Sequence, residues 1–310
     1  MIARPKLRGQ PAQGGESTPP GVDAAHIASY CTAMDGTASQ NGHPPRDRNA
    51  TNQSVFRALS VLWLFAEHGP TLRVAEVANL CDLGSSTASR LLGTLVGAKL
   101  LERDAAGAYQ LGAAAITLAG VALNRSELYR AARTIASEIS CETGLGVNVA
   151  ELRDDRVFYL LHFDGRLAPR SHTLMGRHSP LHATGLGKCL LAHLPDEQRA
   201  NLLTASPLRR YTPHTICDPA ELERELVRIR ERGYATEVEE LAFSRGCIAA
   251  PILGWSGAAP AAISISGPLS ALAIEETEAA MARSVIEAGD RISTALRASR
   301  SEPTNVKVTL

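Results

Sequence analysis

The stretch Gly84-Ser85-Ser86-Thr87-Ala88-Ser89-Arg90-Leu91-Leu92-Gly93-Thr94-Leu95 decides how the rest of the sequence is interpreted. Its apolar residues recur at helical spacing and predict a helix with one buried stripe. The stripe consists of Ala88, Leu91, Leu92, Leu95 and the following Val96. The opposite face is small and hydroxylated, with Arg90 as its one basic side chain. Such a helix suits entry into a DNA groove, although the same pattern also fits an ordinary amphipathic surface helix.

The composition bounds the number of domains and the class of partner. At 310 residues the chain is long for one domain and comfortable for two. Hydrophobic residues make up 45% of the sequence and charged residues 21%, which is enough apolar surface for a core. The net charge is zero, so any DNA contact must come from a local patch and not from a global field.

Several classes of protein are excluded by what the sequence lacks. It contains no apolar run of about 20 residues and no signal-peptide core at its start, so we expect a cytoplasmic protein with no membrane partner. The six cysteines form no Cys-x-x-Cys pair, which favours reduced thiols over a disulfide framework. The histidines between residues 162 and 193 match no metal-ligand spacing. We therefore expect no metal and no cofactor.

The first part of the chain predicts a tail and a helix. Residues 1–50 are rich in Pro, Gly and Ser and predict a disordered extension. A first helix follows from Asn52 and ends at Gly69-Pro70. Its predicted core face consists of Val55, Leu59, Leu62 and Ala66. Because the helix also carries the aromatic residues Phe56, Trp63 and Phe65, we expect it to contact a partner subunit as well.

A second helix and a β-hairpin complete the predicted N-terminal domain over residues 51–112. Apolar residues at helical spacing mark the second helix over residues 74–81. The turn Asp82-Leu83-Gly84 then leads into the helix quoted first. Residues 99–103 and 108–112 predict two short strands around a Gly-containing turn. Three helices and a wing within about 60 residues form a winged helix-turn-helix.

The remaining sequence predicts a linker helix over 113–125, an α+β domain over 126–300 and a flexible tail over 301–310. Within the α+β domain, period-two patterning predicts strands and a 3.6-residue period predicts helices. The predicted strands are 147–152, 157–162, 170–176, 233–237, 247–252 and 261–267. The predicted helices are 128–139, 185–194, 196–204, 219–232 and 274–296. Helices around an antiparallel sheet define this fold class.

Motifs in both halves carry a family resemblance. In the N-terminal half they are Gln53-Ser54-Val55-Phe56-Arg57-Ala58-Leu59, Ser86-Thr87, Arg90-Leu91-Leu92-x-Thr94-Leu95 and Tyr109-Gln110-Leu111-Gly112. In the C-terminal half they are Pro180–Lys188, Arg232–Ala235, Gly246–Pro251 and Ile263–Pro268. In this order they resemble the IclR family of bacterial transcriptional regulators over residues 52–300. The resemblance implies a GAF-like effector-binding domain, dimerisation through the DNA-binding domain and often a dimer of dimers.

A candidate anion site lies in the predicted α+β domain. Gly185 and Leu186 begin a helix that Thr184 can cap, and the free backbone N–H groups at a helix start favour an anion. Ser264 and Ser266 are two residues apart on a strand, so their hydroxyls face the same side. The alternative is structural, with these hydroxyls satisfied inside the sheet.

The family resemblance extends this site. In IclR-type regulators the matching positions surround a small carboxylate or aromatic acid. The resemblance implies effector-binding roles for Gly185, Leu186, Glu237, Cys247, Ser264 and Ser266. Several family members have Asp where this sequence has Glu237. The longer carboxylate takes up pocket volume and repels an anion unless it accepts a hydroxyl or is protonated.

Other motifs have simpler explanations. Gly185-Leu186-Gly187-Lys188 resembles a phosphate-binding loop, but it lacks the required Gly at His182 and the required Ser or Thr at Cys189. A redox role for Cys247 would need nearby cations such as Arg245 to lower its pKa. The stretch from Glu221 to Glu240, dense in Glu and Arg, predicts a solvated helix face with i,i+4 ion pairs.

The predicted DNA-binding domain carries no net charge, since five basic residues balance five acidic ones over residues 51–112. Affinity must therefore come from the placement of contacts and from the sum of half-sites in an oligomer. Arg90 is the main candidate for a base-edge or phosphate contact. The predicted DNA-binding residues are Arg57, Ser85, Ser86, Thr87, Arg90 and Arg103.

The sequence thus predicts a regulator that binds a pseudo-palindromic operator in double-stranded DNA as a homodimer or a dimer of dimers. A small organic acid, carboxylic or aromatic, is the predicted effector, and no catalytic residues are expected. One alternative is an enzyme that acts on a small acid through Cys247 or Ser264 as nucleophile, and turnover of carboxylic acids distinguishes it. Another is a winged helix that binds protein only, which absence of sequence-selected DNA would favour.

Overall fold

The computed structural model describes residues 53–168, 174–205, 207–254, 259 and 261–301. The predicted disordered extension over residues 1–50 and all of the predicted tail beyond Ser301 lie outside this description. Within the described part, no helix is long and apolar enough to cross a membrane.

The N-terminal part is a winged helix-turn-helix, as predicted. Its elements are α1 (Gln53–Glu67), β1 (Thr71–Leu72), α2 (Val74–Leu80), α3 (Ser85–Gly97), β2 (Leu101–Arg103) and β3 (Tyr109–Leu111). The strands form an antiparallel sheet in the order β1-β3-β2. Strand β1, which the sequence did not predict, pairs Leu72 with Tyr109 and so ties the segment after α1 to the wing.

The packing face of α1 differs from the prediction. The residues buried against α2 and α3 are Val61, Leu64 and Phe65. Val55 and Leu59 belong to the predicted core face, but they are 53% and 50% exposed. The predicted face was wrong because α1 is apolar on both sides, so that the helical period alone does not select the side that faces the core.

Two consecutive helices lead from the wing into the C-terminal part. Helix α4 (Ala113–Arg125) matches the predicted linker and has no buried residue. Ser126 caps α5 (Glu127–Thr143), because its Oγ accepts a hydrogen bond from the Tyr129 N–H at 3.1 Å. Helix α5 buries one apolar stripe and ends at Gly144, whose φ of +67° suits a left-handed C-cap.

The C-terminal part is an α+β domain built on a six-stranded antiparallel sheet, as predicted. The strands are β4 (Gly146–Arg153), β5 (Arg156–Phe163), β6 (His178–Pro180), β7 (Ala235–Val238), β8 (Arg245–Ile252) and β9 (Ala261–Pro268). Their order is β6-β5-β4-β9-β8-β7. The helices are α6 (Gly185–Ala192), α7 (Asp196–Ala205), α8 (Pro219–Arg232), α9 (Leu269–Leu272) and α10 (Ile274–Ser301).

The third strand lies later in the chain than the sequence predicted. Residues 174–176 of the predicted strand 170–176 lie outside any strand and lead into a turn, and residues 169–173 are outside the described part. The strand in this region is β6, in which Pro180 pairs with Arg156 of β5. Because β6 is an edge strand, it tolerates a proline at its last position.

The two faces of the sheet carry different side chains. Val147, Ile263 and Ile265 lie on the face that packs against α5 and α10. The alternate residues lie on the other face, which α6 and α8 cover through an apolar cluster that includes Leu186 and Ala249. This second face also carries the polar and sulfur-containing side chains of the candidate site.

Candidate effector site and nucleic-acid interface

The N-terminus of α6 lies directly against strand β8. A Cβ added to Gly185 would lie 2.7 Å from Cys247 Sγ and 3.7 Å from Glu237 Cβ, so only glycine permits this approach. The predicted cap is confirmed, since Thr184 Oγ1 accepts a hydrogen bond from the Gly187 N–H at 3.0 Å. The Leu186 N–H lies in the first turn of α6, where backbone N–H groups have no acceptor within the helix, whereas the Leu186 side chain packs into the apolar core.

Strand register places four predicted residues in adjacent positions. Cys247 pairs with Glu237 on one side and with Ser266 on the other. Ser264 lies one step further along the same face of β9. Because neighbouring strands are about 4.8 Å apart, the backbones of Glu237 and Ser266 are separated by about 10 Å, with Cys247 between them. The structure therefore brings together both serines, the thiol, the carboxyl and the start of α6.

Two further residues belong to this cluster and were not predicted as site residues. Asn148 on β4 directs its Nδ2 to Ser266 Oγ at 3.0 Å and to Ser264 Oγ at 3.3 Å. His162 on β5 approaches Asn148 Oδ1 through Nδ1 at 2.7 Å, and its Nε2 lies 3.0 Å from Asp164 Oδ1. The available signal was the polar Asn148 between two valines of a buried strand.

Glu237 is a buried carboxyl at the other end of the cluster. Its Oε1 accepts hydrogen bonds from the backbone N–H groups of Glu240 at 2.7 Å and Leu241 at 3.3 Å. Burial raises the pKa of Glu237 to about 7, against the opposing effect of these two hydrogen bonds. The carboxyl therefore exchanges its proton near neutral pH, and in its protonated form it does not repel an anion.

A buried ion pair lies beside the cluster and corrects one prediction. Lys188 on α6 is 1% exposed, and its Nζ donates a hydrogen bond to Glu240 Oε1. Glu240 is therefore not part of a solvated helix face, and its Oε2 is buried without a partner among the described residues. Burial raises the pKa of Glu240, while the neighbouring Lys188 acts in the opposite direction. Surface ion pairs do occur on α8, for example between Glu225 and Arg228.

The nucleophile chemistry of the enzyme alternative gains no support from this geometry. Burial and the adjacent Glu237 raise the pKa of the Cys247 thiol far above its usual range, whereas nucleophilic or redox-active thiols need a lowered pKa. Ser264 Oγ faces the Nδ2 of Asn148, which donates a hydrogen bond and cannot accept the hydroxyl proton. The lowered thiol pKa that a redox role for Cys247 would need, from cations such as Arg245, is therefore not found.

The predicted recognition helix presents its polar start to solvent. Gly84, which lacks a side chain, occupies the N-cap position of α3, so the hydroxyls of Ser85 and Ser86 do not cap the helix. Both serines and Arg90 are exposed, and Thr87 is half-buried. Free N–H groups and hydroxyls at a helix start are suitable donors to a phosphate.

The other two predicted DNA contacts come from separate elements. Arg57 is half-buried on α1. Arg103 on β2 is exposed, but its Nε donates to the Gly107 carbonyl oxygen at 3.2 Å, and its guanidinium lies 5.7 Å from the centre of the Tyr109 ring. Arg103 thus lies along the wing. Because acidic and basic residues balance across the domain, its net charge supplies no attraction to DNA, and individual basic side chains must supply the phosphate contacts.

Comparison with known families decides the classification. Residues 54–105 match the IclR helix-turn-helix domain, and residues 120–294 match the bacterial transcriptional regulator IclR C-terminal domain. The chain belongs to the IclR family. It is a DNA-binding transcriptional regulator of the IclR type, as the resemblance predicted.

Similar proteins agree with this family assignment. The HTH-type transcriptional regulator BhcR of Paracoccus denitrificans (strain Pd 1222) is 36% identical over 242 residues, which cover 78% of this chain and 86% of BhcR. The HTH-type transcriptional repressor AllR of Salmonella typhi is 30% identical over 245 residues, covering 79% of this chain and 90% of AllR.

Solved structures of the IclR family show the same fold. The Thermotoga maritima IclR structure is 26% identical, with a TM-score of 0.69, and the match covers 78% of this chain and 98% of that one. An IclR homolog from Microbacterium hydrocarbonoxydans in complex with 4-hydroxybenzoate is 28% identical, with a TM-score of 0.68. That match covers 79% of this chain and 100% of the homolog.

Proposed function

We propose that a small organic acid binds at the start of α6 beside strands β7–β9 and thereby modulates binding of this regulator to its operator. The convergence of Gly185, Leu186, Glu237, Cys247, Ser264 and Ser266 at one place carries this proposal. These residues come from four separate elements and offer hydroxyl and backbone donors next to a glutamate that can be neutral. The 4-hydroxybenzoate complex of the Microbacterium homolog supports an aromatic acid as one candidate class.

The physical basis of acid binding is a set of oriented donors. The Leu186 N–H lies at the positive end of the α6 helix dipole, which stabilises an anion by about 0.3–1 kcal/mol. The hydroxyls of Ser264 and Ser266 add two further candidate donors on the neighbouring strand. A protonated Glu237 then donates to, or accepts from, a polar group at the far end of the ligand.

The regulator would bind DNA as a homodimer or as a dimer of such dimers. The two copies in the homodimer would contact each other through the outer faces of α1 and α4. Val55, Leu59 and Trp63 on α1 are 50–59% exposed. Ile116 and Val121 on α4 are 77% and 58% exposed. Apolar surface of this extent on two consecutive parts of a DNA-binding region is typical of a protein interface.

In the proposed dimer, each copy of α3 reads one half-site of a pseudo-palindromic operator. Arg90 would contact base edges or a phosphate, and Ser85, Ser86 and Thr87 would contact the sugar-phosphate backbone at the helix start. Arg57 and Arg103 would add flanking phosphate contacts. In this proposal residues 51–112 bind DNA and residues 126–300 bind the effector. Residues 113–125 connect these two domains.

A footprinting experiment tests the DNA-binding part of the proposal. DNA selected from a random pool by the wild-type protein should contain two related half-sites, both protected from nuclease. Arg90→Ala should abolish the protection, whereas Arg291→Ala should leave it unchanged because Arg291 forms a surface ion pair with Glu138 in the C-terminal part. Unchanged protection by Arg90→Ala would refute the assignment of α3 as the recognition helix.

A thermal-shift screen tests the effector part. Binding of an acid to the native state should raise the melting temperature by mass action. The double variant Ser264→Ala with Ser266→Ala should lose this shift, because it lacks both proposed hydroxyl donors. A retained shift would place the acid elsewhere in the molecule.

A further inference from the structure

A continuous chain of hydrogen bonds runs from the surface to the proposed effector site. It begins at Asp164, which is half-exposed, and passes through the buried ring of His162 to Asn148. It ends at the hydroxyls of Ser264 and Ser266. Nothing in the proposed function uses Asp164, His162 or Asn148, yet the last of them contacts both proposed ligand-binding serines.

The direction of these hydrogen bonds follows from the chemistry of the amide. Asn148 Oδ1 can only accept, so the contact at 2.7 Å requires a proton on His162 Nδ1. The Nδ2 end then supplies both of its hydrogens, one to Ser264 Oγ and one to Ser266 Oγ. Each serine oxygen therefore accepts from Asn148, and the proton of each hydroxyl remains available for another acceptor.

Other acceptors in the sheet form at most a weak hydrogen bond with the hydroxyl protons of Ser264 and Ser266. Ser266 Oγ lies 3.5 Å from the Gly146 carbonyl oxygen, at the limit of a hydrogen bond. For Ser264 Oγ, the contact with Asn148 is the one hydrogen bond found in the described part of the chain. Two hydroxyl protons on one face of β9 thus point to a ligand that accepts from both, and a carboxylate is such a ligand.

We propose that Asn148, held by His162, is a positioning residue that fixes Ser264 and Ser266 as a pair of hydrogen-bond donors and so makes the site selective for a carboxylate over its neutral amide. This inference rests on the proposed function, because it assumes that the effector binds at the serines. Asn148 itself need not touch the ligand.

The chemistry of the side chain gives a sharp test. Aspartate has the shape of asparagine, but both of its carboxylate oxygens accept hydrogen bonds. In Asn148→Asp the two serines would donate to Asp, so their lone pairs and not their protons would face the ligand. This reversal penalises a carboxylate and favours an amide, whose NH₂ group donates. A general loss of structure would weaken binding of both.

The experiment is titration calorimetry with the full chain and two matched ligand pairs, glycolate with glycolamide and 4-hydroxybenzoate with 4-hydroxybenzamide. The wild-type protein should bind at least one carboxylate more tightly than its amide. Asn148→Asp should bind that carboxylate about 10- to 100-fold more weakly, the effect of losing charge-assisted hydrogen bonds. Its affinity for the amide should stay the same or rise. Asn201→Asp, which adds the same charge on the exposed part of α7, should behave as wild type.

A second pair of variants decides the question if Asn148→Asp does not fold. His162→Leu removes the donor that orients Asn148, so it should also lose the preference for the carboxylate. His162→Asn should restore it, because the asparagine amide nitrogen occupies about the position of the histidine Nδ1.

The outcomes separate this inference from the proposed function. If the wild-type protein binds no carboxylate, both are overturned. If it binds a carboxylate, and either Asn148→Asp or His162→Leu leaves the preference over the amide unchanged, the inference alone is overturned. An equal loss of affinity for carboxylate and amide in both variants would likewise reduce Asn148 to a structural residue.

Discussion

Replacement of Lys188 by methionine should destabilise the protein strongly, although no exposed surface changes. Lys188 is 1% exposed and its Nζ is bonded to Glu240 Oε1, while Glu240 Oε2 already lacks a partner in the described part of the chain. Methionine fills a similar volume but leaves Glu240 as a lone buried acid. Breaking a buried pair in this way costs about 3–5 kcal/mol. In a domain the size of the C-terminal part, which contains this pair, the melting temperature should fall by about 6–20 °C.

The pH dependence of this effect has a definite sign. Burial raises the pKa of Glu240, and loss of the Lys188 cation raises it further in the variant. Across the window between the unfolded and folded pKa values, the native variant then holds a proton that the unfolded chain has released. Stability of the variant must therefore fall as the pH rises through this window. The cost of Lys188→Met should be larger at about pH 8 than at about pH 5.5.

Urea unfolding followed by circular dichroism measures this cost, with two comparisons. The double variant Lys188→Met with Glu240→Leu should recover most of the loss, because an apolar pair replaces the ion pair. Arg291→Met, which breaks the exposed pair with Glu138, should cost less than about 1 kcal/mol. A cost below about 1 kcal/mol for Lys188→Met, or a double variant no more stable than the single one, would refute the reasoning.

Three further predictions concern the candidate site and the interface. Affinity for an acid should weaken as the pH rises above about 7, by up to about tenfold per pH unit, because Glu237 must then take up a proton to admit the anion. Titration calorimetry of Glu237→Gln should show no such pH dependence of the affinity. Gly185→Ala should cost about 1–3 kcal/mol in urea unfolding because its Cβ meets Cys247 Sγ, and adding Cys247→Ala should restore most of it. Trp63→Ala should weaken dimerisation in sedimentation experiments by about 30-fold or more, whereas Phe243→Ala, equally exposed in the C-terminal part, should not.

Local patterns were sufficient to predict most elements of the fold. Thr184 as a cap and the period-two serines of β9 could be recognised because they depend on neighbours within a few residues. The core face of α1 could not, since Val55 and Val61 are equally apolar and only the packing of α2 and α3 selects between them. Strand β6 was misplaced because an edge strand of three residues carries almost no periodic signal.

The features that sequence patterns missed depend on distant partners. Glu240 lies in a stretch with the composition of a surface charge run, but it is buried and paired with Lys188, which precedes it by 52 residues. Asn148 is a single polar residue in an apolar strand, and its role is defined by serines 116 and 118 residues later. Neither of these separations in sequence follows the period of a helix or a strand, so only the folded structure shows that the groups meet.

The charges around the proposed site constrain how it can attract an acid. Lys188 is paired with Glu240, so it supplies no free positive charge, and Glu237 is at best neutral. The charge of Arg245 interacts with Glu237 and Cys247. The other groups that can stabilise a carboxylate in this proposal are fixed dipoles, namely the Leu186 N–H and the two serine hydroxyls. Dipoles help an anion only if their positive ends already point at it, since turning them on binding costs part of the gain. In the proposed site, the orientation of the serines by Asn148 would thus direct their positive ends at a carboxylate before it binds.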